Sequence, residues 1–271
     1  MKQKLAVTLL VIFVLAAASD ARRSASQPIP ATPQHLKDLK CVDIKPNINN
    51  INDCPLSGCS KSDEPHPFDT LLNEQKNIPA SNKTAQPKDY SYLHNLPNPG
   101  NNYVEGGDRQ ALRDLGEGNM IRVVAYATRV SKGSSETCNC NLTTMADKDN
   151  HIVLIDPEGE NPDSVSEDES QTAEFTPRVR LTHPTLKWAN LNAWIEDADG
   201  ALLVRVTGLQ MFDSHHLFHD PLHRHNNWEI HPAFRLEFCP KGKICTKNSN
   251  TNWVDLKPFV KPKPKSKSKP H

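Results

Sequence analysis

The chain runs to 271 residues with 32 basic and 32 acidic side chains, so its formal net charge with neutral histidines is zero. That balance favours no charged partner class, and an aromatic content of 6% gives little support to a nucleic-acid groove built on stacking platforms. Beyond the first twenty residues no stretch is apolar enough to cross a bilayer, so the chain is predicted not to be an integral membrane protein.

Residues 1–21 read as an export signal: Lys2 and Lys4, the apolar run Leu5 to Ala18, then small residues offering cleavage after Ala18 or Ala21. The mature chain is therefore expected to be extracytoplasmic, secreted or periplasmic. Cleavage would remove Lys2, Lys4 and Asp20, leaving 30 basic against 31 acidic groups and a net charge of −1. Residues 22–117 are rich in Pro, Asn, Ser and Lys and predict a largely irregular arm. Two islands, Phe68 to Lys76 and Asp108 to Leu115, carry Leu or Ala at helical spacing and are expected to dock on a folded domain.

Seven cysteines in an exported chain predict disulfides, with one thiol left over or bonded between chains. Cys41, Cys54 and Cys59 lie in the arm, where one local bridge would free a third cysteine to reach the domain. Cys138 and Cys140 suit separate partners or a metal better than each other, and Cys239 and Cys245 close a short loop of their own.

Regular patterning begins at Gly118, and residues 118–245 are read as one domain. Met120 to Val130 is a strand with apolar side chains on both faces, as expected where a strand curls through a barrel. Cys138 to Met145 and His151 to Asp156 read as a hairpin turning at Asp147 to Asn150, and Phe175 to Leu181 as a further extended piece. The stretch Asp156 to Glu174, with eight acids and no base, reads as a solvated insertion. Pro184 marks a helix start, with Leu186, Trp188, Leu191 and Ile195 as its buried stripe. Leu202 to Phe212 is a strand with a bulge at Gly208, and Trp228 to Phe238 alternates apolar residues with Glu229, His231, Arg235 and Glu237. The order predicts a mainly β fold: an OB-like five-stranded Greek-key barrel with one helix, with a small sandwich as runner-up. Residues 246–271 read as a disordered Lys/Pro/Ser-rich tail, its six lysines from Lys257 onward suiting an anionic surface or polymer.

Gly118 to Tyr126, Cys138-Asn139-Cys140, His151 to Leu154, Thr176 to Arg180, His183-Pro184, Arg205 to Gly208, Phe212-Asp213 and Asn227 to Pro232 together resemble a group of mostly bacterial exported proteins with an OB-like barrel. The similarity covers about residues 118 to 239, with a weaker echo in Asp69 to Asn77. It implies the domain boundaries and the barrel, and no catalytic residue. The His-rich loop and the Lys-Pro-Ser tail depart from the group.

The loop Asp213 to Asn227 joins the last two predicted strands and carries His215, His216, His219, His223 and His225, which are candidate ligands for Zn²⁺ or Cu²⁺. A solvated loop that is merely His-rich is the competing reading. Asp213, Glu229 and His231, with His151, form a second constellation at the same barrel mouth, suited to metal- or His-activated hydrolysis. Its competing reading is the polar face of an amphipathic strand, bonded to Arg235, Arg205 or backbone. A ligand at the mouth, whether carbohydrate, protein or nucleic acid, would meet the 131–137 and 213–227 loops and Arg122, His151, Arg178, Arg205, Phe218 and Trp228. The leading expectation is ligand binding at that mouth, against a metal-dependent hydrolase or metal capture without catalysis.

Overall fold

The computed structural model describes residues 48–59, 67–98, 109–159, 166–216 and 223–261. Residues 1–21, read above as an export signal, Cys41, Phe218, His219 and the tail beyond Lys261 lie outside the described residues, as do the side chains of His215 and of residues 67–70. Among the described residues no helix is long and apolar enough to cross a membrane.

In chain order the elements are α1 (Pro67–Lys76), β1 (Gln86–Lys88), α2 (Tyr90–His94), α3 (Gln110–Asp114), β2 (Met120–Lys132), β3 (Asn150–Ile155), β4 (Gln171–Phe175), α4 (Pro177–Thr182), α5 (Trp188–Asp197), β5 (Leu202–Phe212), β6 (Trp228–Phe238) and β7 (Val254–Asp255). Strands β2, β3, β4, β6 and β5 pair in that order, and β5 returns to β2, so the sheet closes as a five-stranded barrel of OB topology. Its one parallel junction joins β4 to β6, with Thr172 opposite Glu229 and Ala173 opposite Ile230.

The long β2 explains its own sequence. Met120 to Ala127 pair with β5 while Tyr126 to Lys132 pair with β3, so one strand serves both sides of the seam and needs apolar residues on both faces. Gly208 is the predicted bulge: register shifts on either side of it, and a Cβ there would lie 2.5 Å from Ile230 Cγ2 and from Pro232 O. Inside lie Ile121, Val123, Ile152, Phe175, Val206, Phe212, Trp228 and Ile230, all fully buried, closed at one side by Leu186, Leu191 and Ile195 from the predicted helical stripe.

Several predicted elements differ from those observed. Residues 138–145 form no strand; a 3-10 turn at Thr137–Asn139 and further turns carry the chain to β3, which pairs with β2 and β4 instead. The extended piece foreseen at 175–181 ends at Phe175, because Thr176 caps Val179 N at 3.3 Å and Pro177 preorganises the first turn of α4. Helical structure is therefore not confined to one helix. The tail is not free from its start: β7 pairs with β6, and Trp253 and Leu256 are buried.

The arm shares the barrel's core. Tyr90, Leu93 and Leu112 are buried within it, β1 adds a parallel strand to β2, and both predicted islands fold as helices, α1 and α3. Cys54 bonds Cys140, tying arm to barrel across 86 residues, a closure contributing about 4 to 5 kcal/mol by chain entropy. Cys239 bonds Cys245 as expected, Cys59 is also disulfide-bonded, and Cys138 is a buried free thiol.

Candidate metal centre

At one end of the barrel, side chains from six segments meet out of water. Strand β3 and its lead-in bring Asp149 and His151, β4 brings Glu174, and β6 brings Glu229 and His231. The loop after β2 brings Glu136, the loop after β5 brings Asp213 and Arg224, and α1 brings Lys76. Asp149, Asp213, Glu229 and His231 are at most 1% exposed, and Glu174 and Lys76 are 4%. His151 and Glu174 are cross-strand partners, so the pairing of β3 with β4 alone sets them side by side.

Five carboxylates (Glu136, Asp149, Glu174, Asp213 and Glu229) thus share this end with two permanent cations, Lys76 and Arg224. Five against two leaves an excess of three negative charges, which a buried site does not hold without protons or a cation. The two cations are spoken for. Lys76 Nζ binds Glu136 Oε2 at 2.9 Å, while Arg224 spans Glu229 Oε2 at 2.5 Å and Asp213 Oδ2 at 2.7 Å. Asp213 also takes the ring of His216.

Protons compensate part of this excess. Burial alone would lower the His231 imidazolium, but Glu174 and Glu229 override it and raise the group to about 10. Burial and then Glu136 push Asp149 up to about 6, against the pull of His231. Glu174 is held well below the usual carboxylate range because His151 and His231 outweigh its burial, and Asp213 likewise because Lys76, His216 and Arg224 do. Burial, followed by Glu136, raises the Cys138 thiol, so it is no thiolate at neutral pH.

Three buried atoms at this end have no hydrogen-bond partner among the described residues, Asp149 Oδ2, His231 Nε2 and His151 Nε2, while Glu174 Oε2 lies 3.0 Å from His231 Nδ1. The remaining atoms of the same groups are engaged. Asp149 Oδ1 accepts from Asn139 Nδ2 at 2.8 Å, and His231 Nδ1 donates to Glu229 Oε1 at 3.0 Å. A carboxylate on one ring nitrogen, itself held by Arg224, is the arrangement that orients an imidazole to ligate through the other. His231 Nε2 faces Asp149 Oδ2 at 3.5 Å, and ligand atoms of Asp149, Glu174 and His231 all lie within 4.8 Å of one another. One nitrogen and two carboxylate oxygens suit a divalent ion such as Zn²⁺.

The expected catalytic trio, Asp213, Glu229 and His231, is therefore brought together, and His151 joins it. The reading of Glu229 and His231 as a polar strand face bonded to Arg235, Arg205 or backbone does not hold: the arm and loops cap the barrel end and bury both, their partners are Arg224, Asp149 and Glu174, and Arg205 and Arg235 are engaged elsewhere. The loop histidines do not converge among the described residues. His216 turns to Asp213, His223 is exposed, and His225 stacks on His94 at 3.4 Å between ring centroids, beside Glu169.

Other expected ligand contacts are structural. Arg205 makes two 2.7 Å bonds to Glu237 and packs on Trp253; Arg178 binds the carbonyls of Cys54 and Pro55; Trp228 is sealed in the core with its Nε1 on Pro97 O at 2.8 Å. Arg122 stands on the barrel's outer wall near Arg205, Glu237 and Arg235, away from the cluster. Sequence reasoning missed Lys76, Glu136, Asp149, Glu174 and Arg224. Glu174 was hidden at the end of an acidic run that otherwise reads as solvated, and Asp149 in an expected turn; the neighbouring alternation of Ala173 and Phe175 was the one local signal that Glu174 sits on a strand.

Fold and site together define an OB-type barrel with a buried carboxylate-histidine cluster at one end. No protein-family model, curated protein or solved structure matches the chain.

Proposed function

We propose that the chain is an exported metalloprotein whose barrel end holds a divalent ion, Zn²⁺ by its donor set, and uses it for hydrolysis of a ligand entering beside His151. The observation that carries this reading is the convergence of Asp149, Glu174 and His231, with Asp149 Oδ2 and His231 Nε2 buried and without hydrogen-bond partners among the described residues. A bound divalent ion supplies Lewis acidity and a water acidic enough to act as a nucleophile near neutral pH.

The chain's own residues do the rest. Glu229, fixed by Arg224, keeps the His231 proton on Nδ1 and leaves Nε2 to the ion. Glu136, held ionised by Lys76 against its burial, is the carboxylate nearest the partly open edge at His151. His151, with 30% of its side chain exposed, forms the rim where a substrate meets the cluster. The loops 131–137 and 213–227, through Glu136, Asp213 and Arg224, border the site in keeping with ligand binding at this mouth. The disulfides support an oxidising compartment.

The test is metal analysis of the purified full chain at pH 7.5, followed by assay against chromogenic phosphate, acyl and glycosyl esters with and without Zn²⁺. A stoichiometric ion and an ion-dependent activity lost in His231→Gln are expected. No retained ion after equilibration with Zn²⁺, Mn²⁺ or Cu²⁺ refutes the reading, and a retained ion without any hydrolysis reduces it to metal binding.

A further inference from the structure

The trio at His231 leaves other donors of the same cluster unexplained. His151 Nε2 is a buried atom without a hydrogen-bond partner, 3.4 Å from Glu174 Oε2 and 3.9 Å from Glu136 Oε1. Ligand atoms of Glu136, His151 and Glu174 also lie within 4.8 Å of one another, and Glu174 belongs to both trios. His151 and His231 never fall within one such set among the described residues. An ion with bonds of about 2.1 Å gathers donors from a sphere only about 4 Å across, so one ion does not take both histidines.

From this arrangement we infer that the centre is dinuclear: one divalent ion between Asp149, Glu174 and His231, a second between Glu136, Glu174 and His151, with Glu174 as the shared carboxylate. The inference rests on the metal reading above and adds stoichiometry and bridging to it. Glu174 is placed for sharing, because it is the carboxylate common to both sets of donors and its Oε2 lies 3.4 Å from His151 Nε2. The histidine side of the second set is closely walled. Gly133 backs His151, and a Cβ at that position would stand 2.9 Å from His151 Nε2 and 3.1 Å from Asp149 O. The donors of the first set are the more deeply buried, and the second set lies nearer the rim at His151, whose side chain is 30% exposed. Two ions about 3.5 to 4 Å apart would clamp both the attacking and leaving oxygens of a displacement.

The experiment uses the full chain, stripped with chelator and equilibrated with Zn²⁺, with bound metal counted per polypeptide by mass spectrometry. Parallel samples loaded with Mn²⁺ are examined by electron paramagnetic resonance for exchange coupling. Two ions per chain and a coupled spectrum are expected for the native protein. His151→Gln is expected to retain one ion and lose the coupling, and Glu174→Gln to lose the coupling with both sites weakened. Because His151 is partly exposed, its variant keeps the fold, which circular dichroism checks; should Glu174→Gln not fold, the His151 variant decides. His225→Gln, which breaks up the separate surface group of His94, Glu169 and His225, is expected to keep both ions of the barrel end. One ion in the native protein, two in His151→Gln, or a count that drops only in His225→Gln overturns the dinuclear assignment while leaving a metal site; no ion at all overturns the metal reading itself.

Discussion

Asp149→Asn tests whether the barrel end is a metal centre that the fold tolerates at a cost. Asp149 is fully buried, and its carboxyl is pushed from the ordinary 3.8 up to about 6. A carboxyl whose pKa is raised on folding contributes its full stability below pH 4 and loses it as the pH rises through 6, so above that value the ionised group opposes folding. At about 1.4 kcal/mol per pH unit, that opposition reaches about 3 kcal/mol at pH 7.5. Asparagine keeps the acceptor for Asn139 Nδ2, but its amide N–H faces the Nε2–H of a His231 ring that stays charged up to about pH 10, a donor–donor contact that offsets part of the gain. In chelator at pH 7.5 the variant is therefore expected to be more stable than the native chain, by up to about 3 kcal/mol, with the difference vanishing toward pH 4. With Zn²⁺ the gap narrows. At a hundred times its dissociation constant, one ion stabilises the native protein by about 2.7 kcal/mol, or roughly 5 to 10 °C in melting temperature, and the variant gains less than half of that. Urea titrations and thermal melts across pH, with and without Zn²⁺, read both effects. The reasoning is refuted if the variant is the less stable protein in chelator by more than about 1 kcal/mol, or if Zn²⁺ raises both melting temperatures equally.

Three further outcomes follow from the scaffold. Glu237→Gln strands Arg205, which is 1% exposed, and is expected to cost about 3 to 5 kcal/mol in urea unfolding; a loss below 1 kcal/mol would show that Trp253 and Asn250 suffice to hold the guanidinium. Tyr90 donates its hydroxyl to Leu154 O and Glu169 O from a buried position, and burial, aided by Asp156 and Glu169, raises its pKa well above the ordinary value of about 10. That contribution is complete below pH 10 and lost above it, so native protein should lose stability between pH 10 and 11 faster than Tyr90→Phe, which itself costs about 1 kcal/mol at neutral pH; parallel alkaline profiles would contradict the assignment. Replacing Cys54 and Cys140 together with Ser should cost at most about 4 to 5 kcal/mol and expose residues 48–59 to protease before the barrel, and an unchanged cleavage order would show that α1 and Arg178 hold the arm unaided.

Much of the barrel was written in local pattern. The alternation from Trp228 to Phe238, the two-sided apolar run from Met120, the stripe Leu186, Leu191 and Ile195, and the glycine at 208 are each set by strand pleat, helix period or the lack of a Cβ, which act between near neighbours. The short Cys239 to Cys245 bridge was legible for the same reason, since six residues limit where either thiol reaches. Asp213, Glu229, His231 and His151 were found because a barrel places strand ends together once its order is known. The cluster's remaining members were decided by tertiary structure alone. Lys76 meets Glu136 across 60 residues, and Glu174 reaches His231 through a parallel junction that no turn announces. A charged residue on one face of a strand reads as solvent-facing because alternation records only the pleat; whether water lies beyond it depends on what packs there. Here the arm and the loops pack there, and they bury Asp149, Glu174, Asp213, Glu229 and His231 together with Lys76, turning what reads as a polar face into a charged cluster out of water.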